Sequence, residues 1–143
     1  MRDIQQVLER WGGWAASDNS GLDWSPIAAG FKGLMPYRTS QRLKCCDSDG
    51  LTIDACVLHL QAMRQRKELD LIMLYYVYRM SKREIARHWR IDEKIIRIQL
   101  QVAEGFVAGC LAMLDVQLDM DAQVKTYEKE KVNAVRKTHA SMF

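Results

Sequence analysis

The stretch ELDLIMLYYVYRMSKREIARHWRIDEKIIRIQLQVAEGF, Glu68 to Phe106, decides the fold. Ser81 is placed to cap a short helix, Lys82 to Trp89, whose inward residues are Ile85 and Ala86. The small Ala86 lets a second helix cross closely. Arg90 and Ile91 make the turn, and Asp92 caps the second helix, its carboxylate set against free backbone N–H groups and the positive end of the helix dipole. Ile96 then packs back onto the first helix. This spacing is that of a helix-turn-helix.

A motif of this kind presents the start of its second helix to the major groove of duplex DNA. The outward residues there are Glu93, Lys94, Arg97, Ile98 and Gln101. Lys94 and Arg97 suit guanine O6 and N7, Gln101 suits adenine, Glu93 accepts from cytosine, and Ile98 suits a thymine methyl. Lys82, Arg83, Arg87 and Arg90, on the first helix and the turn, suit phosphate contacts that position the protein without reading sequence. The turn carries Arg90 where glycine is usual.

Working outward, 143 residues are enough for one domain with a core of its own. A net charge of +3 is weak, so the location of charge matters more than its sum. Between Arg64 and Arg90, the cations Arg64, Arg66, Lys67, Arg79, Lys82, Arg83, Arg87 and Arg90 face only Glu68, Asp70 and Glu84. The sequence is expected to hold no apolar run of membrane-spanning length. Asp3 and Glu9 stand where a secretory signal needs a basic start, so a cytoplasmic location is expected.

Ile4, Val7, Leu8, Trp11 and Ala15 predict an amphipathic helix from about Asp3 to Ala16, weakened at its end by Gly12 and Gly13. Ser25-Pro26 opens a short helix to about Phe31, and the acid-free segment Lys32 to Lys44 reads as a basic loop. Asp47 to Gly50 reads as a turn, followed by a helix from Leu51 to about Arg64. Leu69, Ile72, Met73 and Tyr76 mark a further helix beneath the pair. The second helix of the pair continues through Leu100, Ala103, Val107, Cys110 and Leu114, a seam for packing. Its expected use is the protein's own core, with the N-terminal helix as partner and self-association as the alternative. Gly105 and Gly109 permit a close neighbour.

The chain is therefore expected to be all-α: a compact helical domain containing a helix-turn-helix, with a long C-terminal helix. Residues 1–120 form the body, including the DNA-binding pair over 81–101, and 121–143 form a polar tail. Cys45, Cys46, Cys56 and His59 are the candidate set for zinc, but no CxxC spacing supports it, and reduced thiols without a metal are the preferred reading. No Gly-rich phosphate loop, GxSxG or HExxH pattern occurs, so neither an enzyme nor a cofactor is expected.

The opening MRDIQQVLERWGGWAA, WSPIAAGFKGL over Trp24 to Leu34, Cys45-Cys46 followed by Asp47, and AEGFVAGCLAML over Ala103 to Leu114 together resemble the late-gene antitermination (Q) proteins of lambdoid phages, in the branch of phage 21 and Shiga-toxin phages. The helix-turn-helix and the helix before it also resemble region 4 of bacterial sigma factors. The resemblance implies a non-catalytic factor that binds a DNA element beside a phage late promoter, loads onto host RNA polymerase at a sigma-dependent pause, and makes it read through terminators by narrowing the RNA-exit channel. It implies DNA, RNA polymerase and sigma factor as partners, and Lys32, Arg38, Arg42 and Lys44 as candidates to face nascent RNA. The alternatives are a promoter-bound, sigma-like regulator that does not travel with polymerase, and a polymerase-binding protein without specific DNA binding.

Overall fold

In the computed structural model, residues 2–19, 42–63 and 65–125 are described, and they form five α-helices. The expected helix after Ser25 and the cations Lys32 and Arg38 lie outside them. Helix α1, Ile4–Trp14, is capped by Asp3, whose carboxylate accepts from the backbone N–H groups of Gln5 and Gln6, and it ends in a π-helical turn, Ala15–Asn19. Val7, Leu8, Trp11 and Trp14 are its buried face. Gly12 and Gly13 serve packing here: a Cβ on Gly12 would lie 2.1 Å from the Tyr76 carbonyl oxygen, and one on Gly13 would lie 2.0 Å from that of Leu43. Only glycine lets these backbones meet.

Helix α2 is Asp47–Ala62, so the segment read as a turn is its first turn. Cys46 supplies the cap, its sulfur accepting from the Asp49 N–H, and Asp47 and Asp49 favour the positive helix end. Gly50 misdirected the sequence reading because its role is not a bend. A Cβ there would lie 2.3 Å from the Trp14 ring. Two indole N–H groups join α1 to α2: Trp11 Nε1 donates to the buried Asp54 (3.2 Å) and Trp14 Nε1 to Asp47 (2.9 Å). Buried indoles need such acceptors.

Helix α3, Arg66–Ile72, runs into a π-helical segment, Met73–Val77, that no sequence period announced. Leu69, Leu71, Ile72, Met73, Leu74 and Tyr76 are all buried, placing this element at the centre. Helix α4, Lys82–Trp89, and helix α5, Glu93–Leu114, follow with the expected bounds. On α5, Leu100, Ala103, Val107 and Leu111 are buried, whereas Leu114 is exposed and Cys110 half-buried. The expected seam drifts because a straight helix turns every 3.6 residues, not every 3.5. That core face packs chiefly on α3, with α4, α2 and, to a lesser extent, α1 beside it. Gly105 and Gly109 have open space around them. Contrary to expectation, α5 is long and apolar enough to cross a membrane by length and composition.

Beyond α5 the chain turns back over the body. Asp49, buried, accepts from the backbone N–H groups of Asp119 (2.9 Å) and Met120 (3.1 Å), and Arg2 pairs with Asp121. Val124 is fully buried and residues 2 and 125 form an isolated antiparallel bridge. Residues 121–125, placed in the tail by sequence, thus pack onto the body. The burial of Val124 is invisible in a segment whose local composition is polar.

Candidate nucleic-acid interface

Three local devices fix where α4 begins and ends and where α5 begins. Ser81 Oγ accepts from the Glu84 N–H (3.1 Å) while donating to the Glu84 carboxylate (3.1 Å), a reciprocal cap. Arg90 adopts the left-handed conformation, φ 56° and ψ 43°, and ends α4 as a glycine ordinarily would. Asp92 then accepts from the Lys94 N–H (2.9 Å) and starts α5. Ile85, Ala86, Ile96 and Leu100 are buried between and beneath the two helices. The caps thus bound the two helices, and these side chains pack them against each other.

The side of α5 opposite its buried face carries Lys94, Arg97, Ile98 and Gln101, all exposed, with Glu93 half-buried at its edge. Arg97 and Glu93 form an ion pair one turn apart (2.9 Å), so each offers the other a partner that DNA must displace or share. On α4, Arg83 and Arg87 are exposed opposite Ile85 and Ala86, and Arg90 is exposed at the turn. Lys82 is placed differently: it is half-buried, its ammonium 5.5 Å from the centre of the Tyr75 ring. Arg79, exposed and with φ 59°, joins this basic edge just before α4. In the sequence it is one cation of the basic run with no role of its own, since its backbone conformation has no spacing signature.

The candidates for facing RNA are not held alike. Lys44 is exposed, whereas Arg42 is half-buried and donates to the main-chain carbonyls of Tyr76 and Val77. The π-helical segment leaves those carbonyls without regular helical partners, and Arg42 fills the need. Arg42, Tyr75, Tyr76, Arg79, Ser81 and Glu84 help line a cleft of about 490 Å³ beside the start of α4.

The zinc candidates do not converge. Cys46 and Cys56 sit ten residues apart along α2, about 15 Å by helical rise. Cys56 is buried against Cys110 of α5, and burial pushes its thiol up to about 11. Burial likewise raises Cys45 to about 12. Cys46 groups instead with Asp49 and Asp119, their ligand atoms within 4.8 Å of one another, but both Asp49 oxygens already accept main-chain N–H groups.

A model of the phage antitermination protein Q family matches residues 1–119. The chain belongs to that family. It is 59% identical over 146 residues to a probable antitermination protein Q of Acyrthosiphon pisum secondary endosymbiont phage 1, covering 99% of each chain. It is 46% identical over 126 residues to antitermination protein Q of Escherichia phage 933W, covering 87% of this chain and 86% of that one. Among solved structures it is similar to the phage 21 transcription antitermination factor Q in complex with its binding-element DNA, with a TM-score of 0.60, 21% identity, and coverage of 77% of this chain and 87% of that one. The all-α fold and the family agree with the sequence reading. Antitermination factors are regulators and not enzymes.

Proposed function

We propose that this antitermination protein uses α4 and α5 as a helix-turn-helix on a DNA element beside a phage late promoter. From there it loads onto paused host RNA polymerase, sigma factor included, and travels with the enzyme through pauses and terminators in the bacterial cytoplasm. One observation carries the reading: Lys94, Arg97, Ile98 and Gln101 stand exposed together at the capped start of α5, with Arg83, Arg87 and Arg90 alongside. That is the layout in which a helix start reads base edges while flanking cations hold phosphates. The DNA-bound phage 21 relative supports it.

Narrowing of the RNA-exit channel is the proposed means of readthrough, because it asks of the protein only shape and charge. Lys44, with Lys32 and Arg38 of the same basic stretch of sequence, is assigned to emerging RNA, and Arg42 is assigned to the fold.

The test is transcription in vitro by host polymerase from a template carrying the late promoter, its adjacent element and a downstream intrinsic terminator. Readthrough that requires the element in cis supports the proposal. A change in initiation without readthrough refutes it and leaves a promoter-bound regulator. Replacing Lys94 and Arg97 with Ala should weaken specific DNA binding by about 1–3 kcal/mol per lost base contact. Unchanged binding removes α5 from the reading role.

A further inference from the structure

Helix α5 carries a second apolar stripe, separate from the one in the core. Ile95, Ile98, Val102, Gly105, Gly109 and Ala112 follow one another in alternating steps of three and four and hold no charge. Ile95 is 44%, Ile98 59% and Val102 51% exposed, and Gly105, Gly109 and Ala112 are exposed as well. Among the described residues, nothing lies within 4 Å of a Cβ built on either glycine. This outer stripe also explains how a helix with only a third of its most apolar window buried reaches membrane-like hydropathy.

We propose that this stripe pairs with the same stripe of a second copy, antiparallel, and that the pairing conceals the face that reads DNA. The partner is chosen by size. In an antiparallel heptad register centred between Val102 and Gly105, Ile95 faces Ala112, Ile98 faces Gly109 and Val102 faces Gly105, and the two-fold axis repeats each layer. Every large side chain meets a hollow. A parallel pair would set isoleucine on isoleucine at one end and glycine on glycine at the other.

Charge selects the same arrangement. Lys94 flanks one end of the stripe and Asp115 the other, both exposed. Antiparallel pairing brings Lys94 of each copy beside Asp115 of its partner and sets the positive end of one helix dipole at the negative end of the other. A single helical seam is a small interface, so the pair is a reversible one.

The pair and DNA compete, because Lys94 and Ile98 belong to both surfaces; this part rests on the function proposed above. Protein off the DNA is thereby held with its reading face covered, and binding to DNA releases monomers.

Sedimentation equilibrium on the full chain, without DNA, tests the pairing over concentrations up to about 500 μM. The wild type is expected to dimerise. Val102→Glu sets two like charges near the axis and should raise the dissociation constant on the order of 100-fold, while its thermal melt, read by circular dichroism, stays near that of the wild type because the site is exposed in the monomer. A wild type that stays monomeric, or a Val102→Glu variant that dimerises as well as the wild type, overturns the pairing.

Orientation is read by mixing Ile95→Cys and Ala112→Cys variants with a short bismaleimide and mapping the cross-links by mass spectrometry. Links between 95 and 112 support the antiparallel pair, and 95-to-95 links overturn it. The cross-linked pair should bind duplex DNA from the late-promoter flank at least about tenfold more weakly than the uncross-linked mixture. Equal affinity overturns the competition. If the uncross-linked chain itself fails to bind that DNA, the fault lies with the proposed function, and sedimentation still decides the pairing.

Discussion

Replacing Tyr76 with Phe removes one oxygen from the centre of the molecule. Tyr76 is 3% and Glu104 6% exposed, and the phenol donates to Glu104 Oε1 at 2.7 Å. Burial, then the carboxylate, raises the tyrosine's pKa, so it is a neutral donor throughout the working range. A hydrogen bond to a charged acceptor contributes about 1.5–3 kcal/mol, and losing one partner also strands the other away from water. Tyr76→Phe should therefore cost about 2–3 kcal/mol in urea unfolding at neutral pH. Changing both partners, Tyr76→Phe with Glu104→Met, should cost much less than the sum of the single changes, because no polar atom is left stranded. A Tyr76→Phe cost below about 0.5 kcal/mol, or additive costs in the double variant, refutes the argument. The bond also joins the π-helical segment to the middle of α5, so the single variant should loosen the α5 anchor and weaken DNA binding without altering any residue at the interface.

Gly12→Ala should destabilise the protein by about 3 kcal/mol or more in thermal unfolding, since the new methyl group meets a main-chain carbonyl that cannot step aside. Gly105→Ala, measured at low concentration, should instead stabilise by about 0.5–1 kcal/mol, because the site is open and helical. Asp121 has its carboxyl held below the usual range by the hydrogen bond from Arg2. A depressed folded-state pKa contributes stability above the unfolded value, lost as pH falls through the folded one. Asp121→Asn should accordingly lower stability at neutral pH by about 1 kcal/mol or less for this partly exposed pair, and the deficit should shrink below about pH 4 in acid unfolding. Arg87→Ala should weaken DNA binding across sequences and reduce the salt slope by about 1, as read by anisotropy titrations at several salt concentrations.

The pair α4–α5 was legible because its signals are local. Ser81 with Glu84 and Asp92 before Glu93 are capping patterns that act within one turn. What escaped reading depends on distant residues. Gly50 looks like a turn residue until Trp14 lies on it, and Gly12 like a helix weakener until Tyr76 crosses it. Arg42 belongs to a basic run in sequence, yet the carbonyls that hold it were freed by a π-helical segment thirty-odd residues later. The exposure of Lys94, Arg97, Ile98 and Gln101 was legible, since outward positions follow from helical period. The capture of Lys82 by Tyr75, which lies on another element, was not.

Three non-glycine residues with positive φ occur among the described residues: Arg79, Arg90 and Asp115. They stand at the entry to α4, between α4 and α5, and at the exit from α5. Glycine at these joints would be less strained, but it would leave each joint many conformations to lose on docking. Charged side chains at the same joints confine the backbone while the protein folds, before any duplex is met. The ordering entropy of the α4–α5 pair is thus spent in folding, and the DNA association proposed above would proceed from a nearly finished shape.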